Sequence, residues 1–264
     1  MAPAPRSPYE LTVGSGLDDL HPVLRRYFGV VPAGHRGHGS GVFEVVGTPR
    51  RWLWPALRVL AAQQILFPVW QKNVPFTVVN APLTDRDGRT AVVAVRRFHF
   101  LTGPAVMVDA ITAENPGPDG LVDHLGLGRR FRVRLSARVV RGEFHLHSRS
   151  VELRIGRHHF ALPRAVAPRL ALIERFDDAA DGGAGAQRVT VHLDAPLLGR
   201  LYEYTGTFHY ELRPETAAGT ETEPEATEAA ATEAAAAADE PAPAAPTSAE
   251  PESTEPDPAG DTRP

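Results

Sequence analysis

Residues 74–100 read VPFTVVNAPLTDRDGRTAVVAVRRFHF, two runs rich in β-branched and aromatic residues joined across Asp85-Arg86-Asp87-Gly88. Before the corner, Phe76, Val78 and Asn80 alternate with Thr77, Val79 and Ala81. After it, Val92, Ala94, Arg96 and Phe98 alternate with Val93, Val95, Arg97 and His99. A period of two marks a strand, and the Asp-Gly step supplies the positive φ of a tight hairpin. The stretch therefore predicts two antiparallel strands.

The chain continues in the same style. Ala105–Thr112 reads as a third arm, and Leu121–Leu125 follows the Pro/Gly turn of residues 115–120. The clearest alternation lies at 130–139, where Phe131, Val133, Leu135, Ala137 and Val139 share one face. Arg130, Arg132, Arg134, Ser136 and Arg138 share the other. Arg141-Gly142 turns the chain into Glu143–Ile155, where Phe144 and Leu146 are out of phase with Val151, Leu153 and Ile155. That change of phase predicts a bulge near Ser148. Pro163–Pro168 interrupts the sheet, and strands are expected at 170–176, 188–193 and 205–212, with a turn at 181–185 (DGGAG).

Upstream, Pro22 suits a first helical position and Gly29 a helix end, which predicts a short helix with Leu24 and Phe28 on one face. Residues 33–40 (AGHRGHGS) read as a glycine loop before a strand at 41–46. Thr48-Pro49 opens a helical stretch in which Leu53, Leu57, Leu60 and Ala61 recur at helical spacing, with Pro68 as its end. Nine or ten short antiparallel strands with two or three short helices give a mainly β fold, a sheet curled into a barrel or half-barrel.

Three regions follow: a loose N-terminus at 1–16, a single β-rich domain at 17–213, and an acidic tail at 214–264. The tail holds thirteen acidic residues and one arginine, net −12, and no large apolar side chain. Such a segment cannot offset its ordering entropy by burial, so disorder is expected there. The remainder carries 27 basic and 19 acidic residues, net +8. A basic body could meet a protein partner or phosphates, with the tail as an internal competitor; the plainer reading is that the tail keeps the protein soluble.

There is no cysteine, which excludes disulfides and thiolate metal sites. The N-terminus lacks the apolar core of a secretory signal, and the most apolar window, Trp52–Trp70, is broken by Pro55, Arg58 and Pro68. No membrane span and a cytoplasmic location are the expectation.

The ordered landmarks are LHPVLRRYFG (20–29), GSGVFEVVG (39–47), VPFTVVN (74–80), DRDGR (85–89), VRRFHF (95–100), VDHLGLG (122–128), Ile173-Glu174 with Phe176-Asp177, and APLLGRLYEYTGTFHYEL (195–212). This series resembles a family of uncharacterised bacterial domains, also found in YndJ-like proteins and attached to saccharopine-dehydrogenase-like reductases. The likeness runs from Leu20 to Leu212. It implies a β-rich domain with no established reaction, cofactor or catalytic residue.

Several residues could carry chemistry. His145 and His147 leave one face of a strand, and with His158 and His159 they could form a three-histidine metal site; a solvated strand edge in a chain with eleven histidines is the preferred reading, and no metal site is expected. Lys72, the sole lysine, could form a Schiff base if desolvated, but it lies in a polar segment. Arg97, Asp109, Asp123, Glu174 and Glu203 are charges inside apolar strands. A barrel could gather such groups into one interior, and Arg97, Asp109, Asp123 and Glu174 are the candidate ligand-binding residues. The row Arg130, Arg132, Arg134 and Arg138 could meet nucleic acid, but no aromatic residues interleave with it. Tyr202, Tyr204, Phe208 and Tyr210 read as core and rim aromatics of the last strand.

No triad, phosphate-binding loop or cofactor motif is present, which points away from catalysis. The reading is a non-catalytic module binding a small, mainly apolar ligand with an anionic group. The alternatives are an enzyme on a small organic acid using Glu174 or Lys72, and a structural or regulatory domain.

Overall fold

A computed structural model describes residues 5–84, 88–156 and 158–215. The strands are β1 (His35–Gly47), β2 (Trp70–Thr84), β3 (Thr90–Phe100), β4 (Gly103–Ala113), β5 (Leu121–Leu125), β6 (Phe131–Val140), β7 (Glu143–Ile155), β8 (His158–Ala161), β9 (Arg169–Asp177), β10 (Ala186–Ala195) and β11 (Gly199–Pro214). Three short helices join them: α1 (Pro8–Val13), α2 (Pro22–Phe28) and α3 (Trp54–Ala62). Residues 74–100 form the expected antiparallel pair, running from Phe76↔Phe98 to Thr84↔Thr90. The turn at Asp85-Arg86-Asp87 lies outside the described residues.

The pairing order is β6-β5-β4-β3-β2-β1-β11-β10-β9-β7, and β6 pairs back onto β7. The result is a closed ten-stranded antiparallel barrel. The first half of β7 (Phe144–His147) pairs with β9, while its far end (Glu152–Ile155) pairs with β8, a short strand outside the ring. Closure removes the free edges that an open sheet of this size would present.

The two ends are built differently. α1 and α2 plug the end at which β4 passes to β5 and β6 to β7: Leu11 O accepts from Gly117 N, and Tyr9 packs edge-on against Phe28 and Phe144. α3 and the segment after it cap the other end, where Val108 N donates to Gln64 O. Leu57 of α3 and Phe67 join the core beside Phe98, Phe100 and Tyr202.

Side-chain size decides which part of the interior fills. On β1, β2, β3 and β11 the inward residues include Phe43, Phe76, Phe98 and Phe208; Phe43 stacks on Phe76 at 3.9 Å and on Phe98 at 5.4 Å. On β4, β6 and β7 they are mostly aliphatic, Ile111, Val133, Leu135, Leu146 and Val151, with Phe144 packed against the plug. Aliphatic side chains on a ten-stranded ring do not reach across it, and that side keeps an internal space.

The glycine run before Val42 corrects the expectation of a loop at 33–40. His35 onward is strand, and Gly37, Gly39 and Gly41 occupy the inward positions preceding Phe43. A Cβ on Gly37 would stand 1.6 Å from the Tyr210 hydroxyl, and one on Gly41 would stand 2.1 Å from Thr207 O. The missing side chains let Tyr210 and Phe208 lie flat over β1.

The N-terminus expected to be loose contains α1, held by a capping box in which Ser7 and Glu10 satisfy each other's backbone N–H groups. Ser7 also donates to Phe28 O, which fastens α1 to α2. The second helical stretch is shorter than its spacing suggests: Thr48 accepts from Arg50 N, but the α-helix begins only at Trp54 and ends at Ala62. The bulge expected near Ser148 falls at Arg149, where the register passes from Arg134↔Ser150 to Leu135↔Ser148. Among the described residues no helix is long and apolar enough to cross a membrane. The tail at 216–264 lies outside the described residues.

Candidate functional site

The space left by the aliphatic side of the barrel is a cavity of about 210 Å³. Its lining runs from Tyr9, Tyr27 and Phe28 of the plug to Leu60, Ile65 and Leu66 at the capped end. Leu162 and Pro168, from the connection between β8 and β9, also line it. Four charged residues on four strands share the cavity: Arg96, Asp109, Asp123 and Glu174.

Strand geometry brings three of them together. Ala94 pairs with Asp109 and Arg96 with Met107, so Arg96 and Asp109 are diagonal neighbours on the inner face. Ile111 pairs with Asp123, which places Asp123 diagonally beyond Asp109 on β5. Arg96 Nη1 donates to Asp109 Oδ1 in an ion pair in which Asp109 is buried and Arg96 mostly so. Asp123 Oδ1 is buried and, among the described residues, accepts no hydrogen bond. Burial, and next the Asp109 charge, hold the Asp123 carboxyl well above the usual carboxylate range; Arg96 opposes both.

Glu174 arrives from across the barrel on β9. It is 4% exposed, and its Oε2 accepts from Gln187 Nε2 of β10, itself wholly buried. Burial pushes the Glu174 carboxyl up to about 7, against the Gln187 hydrogen bond and Arg96. A second cavity of about 20 Å³ is lined by Arg96, Glu174, Tyr27 and Tyr204, room for a single water.

The tyrosines complete the polar end. Burial raises the Tyr204 phenol to about 12, and its hydroxyl feels Arg96, Asp109, Glu174 and Asp123 together. Tyr27 and Tyr9 are likewise raised by burial, with Glu174 and Arg96 acting on both. All three remain neutral donors at ordinary pH.

Of the four residues that the sequence singled out, Asp109, Asp123 and Glu174 meet in this cavity. Arg97 does not join them. The inward set on β3 is Ala94, Phe98 and Phe100, and the residue with that parity is Arg96. Arg97 has the parity of Val93 and Val95, which belong to a separate apolar cluster with Val108 and Ala110 on the opposite face. Apolar residues on both faces of β3 hide which face is inner. Shared phase with the aromatic Phe98 and Phe100 was the one signal that could have selected Arg96. The tyrosines of α1 and α2 had no such signal, because a plug inserted from outside the sheet leaves no strand period to read.

The other candidates lie elsewhere. Lys72 is exposed at the start of β2, next to Asn73 with its positive φ. His145 and His147 share the outer face of β7 with ring centroids 6.2 Å apart, and His145 engages Glu143. His158 and His159 are on β8, and among the described residues no group of three metal-ligating side chains assembles. Glu203 pairs with Arg200 on β11. Arg132 and Arg134 do form an outer row, but Glu114 and Glu152 each bridge both of them. The expected basic ridge is therefore largely neutralised where it is densest.

No match was found among curated proteins or among solved structures. A family model described as a domain of unknown function (DUF4166) matches residues 20–208, a span that contains all eleven strands up to Phe208 and all four cavity charges. On that match the chain belongs to the DUF4166 family of domains of unknown function.

Proposed function

We propose that the barrel is a non-catalytic module that takes up a small, mainly apolar molecule in its interior. One observation carries this reading: a cavity of about 210 Å³ with mainly apolar walls, aliphatic and aromatic, and four charged residues in its lining. Ligand sites commonly combine apolar walls with a few convergent polar groups that fix orientation. A core built only for stability would gain by closing such a space, since each unfilled methylene volume costs packing energy. The buried carboxyls cost stability as well, and a ligand gives both features a use.

Catalysis on a small organic acid is the second reading. Glu174 favours it, because a carboxyl poised near neutral pH inside a cavity suits general acid–base work. Lys72 does not contribute, being exposed and absent from the cavity lining. A partner-binding role for the basic body and acidic tail has less support, since Arg132 and Arg134 are already paired.

Native mass spectrometry of the purified protein tests the leading reading. A retained molecule of a few hundred daltons, lost in Leu172→Trp, is the expected result. A clean apo mass, together with no uptake of any small apolar compound, would overturn it.

A further inference from the structure

The charged groups of the cavity are unequal in sign. One guanidinium faces three carboxyls, and Asp109 already engages that guanidinium. That leaves Asp123 and Glu174 with no ion pair of their own among the described residues, in surroundings where an unpaired carboxylate is costly. Both answer by holding their protons: Asp123 is raised well above its ordinary range and Glu174 stands at about 7.

We infer that the ligand is a lipophilic amine, an apolar body bearing one cationic nitrogen received by a carboxyl of the cavity lining, Asp123 or Glu174. The inference rests on the cavity-binding reading above and specifies its ligand.

Charge balance separates the three classes of polar head. An ammonium entering the cluster is neutralised when a site carboxyl gives up its proton. Asp123 Oδ1, which has no partner among the described residues, can then accept from it. An anion can draw at most the fraction of a proton that Glu174 lacks at pH 7, and no free positive group among the lining residues then faces its own charge. A neutral hydroxyl gains hydrogen bonds but leaves Glu174 partly ionised and unpaired at pH 7.

The neighbours on other elements agree with this choice. Tyr9 on α1, Tyr27 on α2 and Tyr204 on β11 face the cluster with neutral rings and hydroxyls. Aromatic faces attract a desolvated cation and repel an anion. Gln187 on β10 donates to Glu174 Oε2, a bond that an ionised carboxyl accepts as well. Proton loss from the site is the only ionisation change the binding step needs, since the amine enters already charged.

The test compares octylamine, octanol and octanoate by titration calorimetry at pH 7 in two buffers of different ionisation enthalpy. Octylamine is expected to bind at least about tenfold more tightly than octanol, with octanoate weakest. It should release roughly half to one proton per molecule bound. Asp123→Asn with Glu174→Gln should bring octylamine binding down to that of octanol and abolish the proton release, with the barrel still folded by circular dichroism. Octanol binding with no preference for the amine overturns this inference and leaves the cavity reading standing. Octanoate binding as tightly as octylamine overturns it too. Failure of all three compounds to bind overturns both readings.

Discussion

Two clusters of charge lie on neighbouring strands of the same barrel, and they are built on opposite plans. Outside, Arg132 and Arg134 meet Glu114 and Glu152, two cations for two anions, with each glutamate bridging both arginines. Inside, Arg96 meets Asp109, while among the described residues Asp123 and Glu174 form no ion pair of their own. The outer cluster is balanced and partly solvated, so its arrangement explains itself as sheet surface. The inner one is unbalanced where imbalance costs most. Cost without a structural return is what supports the proposal that the cavity holds a ligand.

Substitutions at the two clusters should separate sharply. Arg96→Ala leaves Asp109 as a buried unpaired charge, and unfolding in urea should show a loss of about 3–5 kcal/mol. Replacing Arg96 and Asp109 together by Met and Leu should recover much of that loss. If the single and double variants are equally unstable, the pair is not the isolated buried unit described.

The pH dependence of stability sharpens the contrast. Glu174 has a folded value of about 7 against an ordinary 4.5. Raised in the folded state, it contributes stability that is fully present below pH 4.5 and lost as pH rises through about 7. Relative to Glu174→Gln, the wild-type protein should lose about 3 kcal/mol between pH 4 and pH 8. Parallel curves for the two proteins would contradict the burial of this carboxyl. Asp123, also raised, acts in the same direction over its own range.

A smaller effect is expected from filling the space. Leu172→Trp should weaken octanol binding by about tenfold or more, near 1.4 kcal/mol, with the barrel still folded by circular dichroism. Smallest of all, Arg134→Ala on the outer face should cost about 0.5 kcal/mol, and less at high salt. A loss at Arg134 as large as that at Arg96 would erase the distinction between the clusters.

The strand pattern was legible because period-two alternation is a local property. The hairpin at 74–100, the alternation at 131–139 and the bulge beside Ser148 could all be read from neighbouring residues. Asp109, Asp123 and Glu174 were legible as charges that interrupt apolar strands. The choice between Arg96 and Arg97 was not, since Val93 and Val95 are as fully buried as Phe98. The pairing of β1 with β11 that lets the ring close, and the plug that brings Tyr9 and Tyr27 to the cavity, depend on contacts between segments far apart in the chain. The strand at Gly37–Gly41 was hidden for a different reason: glycine reads as loop unless the aromatic residues that cover it, Tyr210 and Phe208, are known.

Site-resolved carbon-13 NMR of the carboxyl groups through a pH titration tests the central claim most directly. Glu174 should titrate at about 7, and Asp123 well above the ordinary aspartate value, and the carboxyl that receives octylamine should return to a lower value when the cavity is occupied. Titration of both carboxyls near pH 4, as for solvated groups, would contradict a dry interior with uncompensated charge and remove the case for a ligand site there.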